Sequence, residues 1–341
     1  MRLQRRVPEP FRHPLPLTAR LSARVEAPHP LPPTPHPLPL TSTMLTKHPP
    51  NSRSAIWALL LLAALWGYNW VQMKIAVQYA SPFQFSAWRV ALGGLTLLLA
   101  MVWLRKPLKP KAIPETCLIG LLQTAGVYGL ASWALVSGGA GKTSVLVYTM
   151  PFWTILFAWF GLGERVRGLQ WWVIGLGLAG LVLILEPQQM GGTVGSKLLA
   201  VLAGMSWAGG AVVTKRLRQR TEVDLFSLTT WQTIFAAVPL IAVVLLTPAE
   251  PIDWSTPFLI ALVYNVIPGT AVAALLWMFV LDRLSAGTAG LGVLLNPTVG
   301  VLAAWIQLGE RPSAIETMGM IVLALALILN AIQAMRSAQP S

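Results

Sequence analysis

"GKTSVLVYTMPFWTILFAWFGLGER" (141–165) and "GTAGLGVLLNPTVGVLAAWIQLGER" (287–311) align without a gap at an offset of 146 residues. The match pairs Gly141 with Gly287, Pro151 with Pro297, Trp159 with Trp305 and Glu164 with Glu310. Earlier in the chain, "LWGYNWVQMK" (65–74) lies against "SWAGGAVVTK" (206–215), and "FSAWR" (85–89) against "LTTWQ" (228–232). Three matches in one order mean that the second half repeats the first.

The stretches between these landmarks are long and apolar. A membrane-spanning helix needs about 20 mostly apolar residues to cross a hydrocarbon core of about 30 Å. Ten such segments are expected, at 54–73, 82–104, 115–136, 142–161, 168–186, 196–214, 225–247, 256–280, 287–308 and 313–334. Polar, Pro or Gly residues punctuate every break, as in "RKPLKPK" (105–111) and "EPQQMGGTVGS" (186–196). Each half holds five spans, an odd number, so the halves enter the membrane in opposite senses. The expected fold is an all-α polytopic membrane protein, with ten transmembrane helices as two inverted five-helix repeats, 54–186 and 196–334. In transporters that arrangement puts the substrate near the midplane, between the halves.

Composition agrees. Of the 341 residues 55% are hydrophobic and only 11% charged, where a soluble domain carries about 25% charged residues. The net charge of +13 sits in short loops and the N-terminal tail, as membrane topology requires. No basic helix, zinc spacing or RNA-binding motif accompanies it, so nucleic acid is not an expected partner. With the N-terminus inside, the inner loops hold thirteen Lys and Arg. The outer breaks hold four: Lys74, Lys142, Lys197 and Arg311. That bias puts both ends on the cytoplasmic side. The single cysteine, Cys117, leaves no intrachain disulfide and no CxxC site.

Residues 1–53 form a Pro/Arg-rich tail with no apolar run, a composition that stays disordered. The short basic stretch "MLTKHPPNSRSAIW" suggests a translation start at Met44. Residues 335–341 form a short cytoplasmic tail.

"WGYNW", "FSAWR", the mid-span proline and the paired "LGER" ends resemble the drug/metabolite transporter superfamily, EamA type, with two EamA repeats. The resemblance covers roughly 54–333. It implies ten spans, cytoplasmic termini, a place in the cell membrane and export of metabolites such as amino acids.

Polar groups at membrane depth are costly and ask for a partner or a purpose. Arg89 lies seven residues into the second span, about 10 Å from its end. It either snorkels to the interface or faces a cavity and holds an anionic group such as a substrate carboxylate. Its repeat mate, Gln232, keeps hydrogen bonding without the charge. Asn69 shares a face with Trp66 and Met73. Thr124, Tyr128 and Ser132 make a stripe beside Gln123. Thr229, Gln232 and Thr233 share a face; Tyr264 and Asn265 precede "IPG" (267–269); Asn296 adjoins Pro297. These residues serve either interhelical hydrogen bonding, worth about 0.6 kcal/mol each, or a polar cavity. The cavity set is Asn69, Arg89, Gln123, Tyr128, Gln232, Asn265, Trp277 and Asn296. Pro151 and Pro297, each about ten residues into its span, are hinges or static kinks. Gly175 and Ala179, four apart, permit close helix contact. Glu164 and Glu310 are either solvated loop charges or matched gates at the two mouths.

No Asp or Glu lies deep within any span, no Walker motif is present, and all four His fall in the N-terminal tail. Small multidrug exporters related to this superfamily use a buried glutamate in the first span, which this chain lacks. No nucleophile–base pair, metal set or cofactor motif marks an enzyme. The expectation is a secondary transporter exporting small polar metabolites by alternating access, with a small-molecule substrate and the lipid bilayer as partners. The alternatives are a multidrug or lipid-like compound exporter and a non-transporting scaffold.

Overall fold

In a computed structural model of the chain, residues 52–166, 168–185, 194–284, 292 and 294–337 are described. Met44, the tail up to residue 51 and residues 338–341 of the second tail lie outside them. So do Arg167 and the segments 186–193 and 285–291.

Among the described residues ten helices follow one another. They are α1 (Ser52–Ala76), α2 (Pro82–Trp103), α3 (Ile113–Ser137), α4 (Ala140–Leu162) and α5 (Leu169–Leu185). The second set is α6 (Val194–Arg218), α7 (Leu225–Leu246), α8 (Thr256–Leu281), α9 (Leu295–Leu308) and α10 (Ala314–Ser337). Eight are long and apolar enough to cross a membrane; α5 and the described part of α9 are shorter. Trp57, Trp103, Phe160, Trp172, Leu246 and Ile306 all stand exposed on the outside of the bundle. Such a surface is at home in lipid rather than water.

Helix ends fall within four residues of the expected ones, apart from the start of the ninth segment, which lies outside the described residues. The fourth span differs in kind. The segment 142–161, with its hinge or kink expected at Pro151, divides at Tyr148–Thr149 into Ala140–Val147 and Met150–Leu162. Pro151 therefore sits in the first turn of a new helical piece, where its missing amide costs nothing. Pro297 likewise sits in the first turn of α9. Both prolines therefore stand in the first turn of a helical piece.

Packing obeys the repeat. α2 lies along α7, α4 along α9 and α5 along α10, each pair being mates across the two halves. The contact of α1 with α9 is mirrored by that of α6 with α4, and α1 on α8 by α6 on α3. The mirroring extends to irregular backbone. Gly120–Gly126 in α3 is π-helical, and so is Ile267–Val272 in α8, the two ending 146 residues apart. A π turn leaves carbonyls free of their usual partners. The other repeat uses them: Ser206 donates to the Leu122 carbonyl at 2.6 Å, and Trp66 Nε1 to the Gly269 carbonyl at 3.2 Å.

The recurring "LGER" also has a backbone cause. Gly163 and Gly309 end α4 and α9 in the left-handed region, at φ 68° and 67°. Each following Glu amide reaches back to an alanine carbonyl, Ala158 or Ala304, at 3.3 Å. Glycine adopts that conformation without steric penalty, and the turn satisfies carbonyls that the helix end would orphan.

The close contact expected of Gly175 and Ala179 is not found. Nothing lies within 4 Å of a Cβ placed on Gly175, and both residues are exposed. The tight face of α5 is instead Gly177 and Gly180, against Phe152 and the Gly319–Leu323 turn of α10. Four-residue spacing alone does not say which of two adjacent faces packs.

Candidate functional site

Arg89 owes its position to the start of α2. Ser81 and Gln84 form a reciprocal capping box, with the Gln84 amide donating to Ser81 Oγ at 3.2 Å and the Ser81 amide to Gln84 Oε1 at 3.0 Å. From there Ser86, Arg89 and Gly93 turn inward on one face. Arg89 is only 2% exposed, so it does not snorkel. Its Nη1 donates to the Met73 sulfur at 3.1 Å, and its guanidinium stacks 3.8 Å over the Tyr128 ring. Nε makes no hydrogen bond. A thioether and a ring face are weak partners for a buried cation, and no salt bridge reaches Arg89 among the described residues.

Asn69 shares that sulfur: its Nδ2 donates to Met73 Sδ at 3.3 Å. Its Oδ1 has no partner and points at Gly269, where a Cβ would stand 2.6 Å away. Trp66, one turn back on α1, packs 6.1 Å from Trp277. Tyr264 donates to the Leu65 carbonyl at 3.0 Å and meets Tyr68 edge-on. Asn265, one turn before Gly269, is fully buried; its Nδ2 donates to the Ala261 carbonyl at 2.8 Å and its Oδ1 is unpartnered. Asn296 of α9 donates to the Tyr148 hydroxyl at 2.6 Å, in the break of α4, and its Oδ1 is also unpartnered.

Thus Asn69, Arg89 and Tyr128 gather around Met73, Trp277 joins through Trp66, and Asn265 stands one turn from Gly269. Gln123 lies at the symmetry-related crossing, against Gly210, and the Gln232 backbone carbonyl lies under Gly120. Other polar residues serve the helices alone. Ser86 donates to Ser132 Oγ and Thr233 to the Thr229 carbonyl.

The two glutamates differ. Glu310 receives the Ala140 amide at 2.7 Å and the Gly141 amide at 3.0 Å, capping α4 of the other repeat. Lys74 donates beside it to the Leu135 and Gly138 carbonyls at 2.6 and 2.9 Å. Glu164 pairs with Lys215 at 2.5 Å, and both remain exposed, 43% and 49%. No group of metal-binding side chains occurs among the described residues.

A family model for the EamA-like transporter family matches residues 53–186 and again 196–332. The chain belongs to that family. This EamA-family membrane transporter is 26% identical over 272 residues to the uncharacterized transporter YoaV of Bacillus subtilis strain 168, covering 78% of this chain and 92% of that one. It is 25% identical over 285 residues to a protein of Escherichia coli K12 named a probable amino-acid metabolite efflux pump, covering 80% and 92%. It is 27% identical over 280 residues to the uncharacterized inner membrane transporter YedA of the same strain, covering 80% and 89%. A solved crystal structure, 20% identical, superposes with a TM-score of 0.60 over 84% of this chain and 99% of its own, which speaks to the fold alone.

Sequence reasoning about this EamA-family transporter missed several partners. Met73 was noted only as a face-mate of Asn69, since a thioether carries no obvious polar signal. Tyr148 looked like one more aromatic in an apolar run. Glu316 lies at the edge of an apolar run, yet it is 2% exposed and pairs with Lys142 at 2.6 Å and Lys197 at 3.5 Å. The Ser313–Glu316 spacing, a capping box in the structure, was the available signal.

Proposed function

We propose that this EamA-family transporter exports small polar metabolites, amino acids among them, by alternating access between its two repeats, and that Arg89 holds the carboxylate of the substrate. The observation that carries the reading is the solvation of Arg89: a buried guanidinium whose partners are a sulfur and a ring. A carboxylate in the same low-dielectric setting gives charge-assisted, bidentate hydrogen bonds far stronger than either. The name of the E. coli efflux pump relative supports the same substrate class, and that of YedA supports a place in the cell membrane. Both termini lie in the cytoplasm, in keeping with the bias of Lys and Arg. The ends of α4 and α9, with Glu164 and Glu310, are the gates, and Pro151 and Pro297 are the hinges.

The test is counterflow uptake of pooled labelled amino acids into proteoliposomes, with Arg89→Gln and Arg89→Lys alongside. The expected result is uptake by the native protein, lost in Arg89→Gln. Native protein that is folded and takes up no amino acid overturns the reading in favour of a multidrug or lipid-like substrate.

A further inference from the structure

We propose that Asn69 is the ammonium-recognising residue of this site, so that it selects an α-amino acid zwitterion over the corresponding carboxylic acid without its amine. The inference rests on the reading of Arg89 as the carboxylate anchor.

Two donors converge on one weak acceptor. Arg89 Nη1 and Asn69 Nδ2 reach the Met73 sulfur at 3.1 and 3.3 Å, so the two nitrogens lie within those two bond lengths of each other. Chemistry fixes the orientation of Asn69: only its NH2 can donate to a thioether, so its Oδ1 points the other way. That oxygen is buried, with the residue 6% exposed, and has no partner. It occupies a niche that exists because residue 269 is glycine; a Cβ there would stand 2.6 Å from it. The Asn265 oxygen, on the same helix one turn earlier, is a second buried acceptor without a partner.

The site therefore has a donor pole at Arg89 and an acceptor pole at Asn69, the acceptor lying on the far side of the Asn69 carboxamide from the shared sulfur. A carboxylate only accepts hydrogen bonds and an ammonium only donates them. An α-amino acid carries both on one carbon, and so reaches from Arg89 past the displaced sulfur to the Asn69 oxygen. The carboxylate displaces the thioether from Arg89, because an ionised acceptor outcompetes sulfur. The ammonium then meets the Asn69 oxygen, and the side chain continues along α1 towards Trp66 and Trp277. A ligand lacking the amine leaves the buried oxygen as unpaired as it is in the free protein, and the hydrogen bond it forgoes provides the selectivity.

The experiment measures binding to the full-length protein in nanodiscs. The probes are the best-bound of the twenty protein amino acids and its des-amino carboxylic acid, in sodium and in potassium buffer. Native protein is expected to prefer the amino acid by about tenfold or more. Asn69→Ala is expected to bring the two affinities together, with the larger loss on the amino acid. Gly269→Ala, which fills the niche, is expected to do the same and serves if Asn69→Ala folds poorly. Arg89→Gln is expected to weaken both ligands. Equal affinity of native protein for both ligands overturns the inference and leaves the Arg89 reading standing. So does a sodium requirement that disappears in Asn69→Ala, because the oxygen then holds a metal cation. Binding of neither ligand removes the Arg89 reading and this one with it.

Discussion

Asn69 and Gly269 meet where α1 crosses the π turn of α8, and Gln123 and Gly210 meet where α3 crosses α6, as their counterparts. In the first crossing a Cβ on Gly269 would stand 2.6 Å from the Asn69 oxygen; in the second a Cβ on Gly210 would stand 2.6 Å from Gln123 Cβ. Asn69 is the repeat mate of Gly210, and Gln123 that of Gly269. Each crossing thus keeps one glycine and one carboxamide, but the two have changed helices. Symmetry preserves the space and moves the polarity, which puts the carboxamide of α1 on the same side as Arg89.

The second crossing predicts a stability effect. A Cβ on Gly210 would also lie 3.1 Å from the Gln123 backbone nitrogen and 3.3 Å from its Cα, so no flexible group can yield. Gly210→Ala should cost about 1–3 kcal/mol in unfolding from mixed detergent micelles. Gly175→Ala, with open space around it, should stay within about 0.5 kcal/mol of the native protein or gain slightly from helix propensity. Equal effects of the two substitutions would contradict the packing described for α3 on α6.

Glu310 and Glu164 should behave unequally despite their matched sequences. Glu310 holds two amides at the start of α4 and so ties the repeats together. Glu310→Gln should cost about 1–2 kcal/mol, and Glu164→Gln no more than about 1 kcal/mol, because its pair with Lys215 is exposed. Thiol labelling gives an independent readout. In a Cys117→Ser background, a cysteine replacing buried Thr143, one turn into α4, should react faster once Glu310 is Gln. Unchanged labelling would show that the Glu310 cap does not close that end.

Much of this architecture is written in the sequence because the bilayer imposes a single strong rule. Apolar length fixed ten spans, and a repeat with an odd span count fixed their inversion. Arg89 stood out for the same reason: a charge deep in an apolar run is rare enough to be seen alone. The π turns were invisible because shifting a hydrogen bond by one residue changes no composition; "QTA" (123–125) and "GTA" (269–271) align at the repeat offset, but nothing in those letters announces a wider turn. The partners of Arg89 and Asn69 were hidden by chemistry, since both chose a methionine. Gly175 and Ala179 misled because a helix surrounded by lipid is apolar on every face, so periodicity cannot say which face packs.

Glu316 is a buried charge whose removal should lower stability. It is 2% exposed and draws Lys142 of α4 and Lys197 of α6 to the first turn of α10. Glu316→Gln removes the carboxylate that draws both lysines in, and with Lys142 34% exposed the loss should be about 1–3 kcal/mol. Removing Lys142 together with it, as Glu316→Gln/Lys142→Gln, should recover part of that loss. A double variant as unstable as the sum of the two single ones would mean that the residues do not act as a pair. The same cluster accounts for two of the four basic residues that the positive-inside count left on the minority side: Lys142 and Lys197 are held by Glu316.

At the opposite end of the bundle, Asp224 predicts a pH dependence. It caps α7 by accepting the Ser227 amide at 2.8 Å, and pairs with Lys106 at 3.1 Å across the α2–α3 connection. Burial alone would raise its pKa, but the Ser227 amide and Lys106 outweigh burial and hold the carboxyl below its usual value. A carboxyl depressed in the folded state binds fewer protons there than in the unfolded chain. Its stabilisation is therefore fully present above the ordinary aspartate pKa, about 3.9, and fades as the pH falls through the lower, folded value. Asp224→Asn keeps the cap, since asparagine serves nearly as well, but loses the ion pair. The variant should thus be less stable than the native protein at pH 7, and the gap should narrow as unfolding is followed down to about pH 3, below that ordinary aspartate pKa. A gap of constant size from neutral to acid would show that the Asp224 carboxylate does not contribute through its charge.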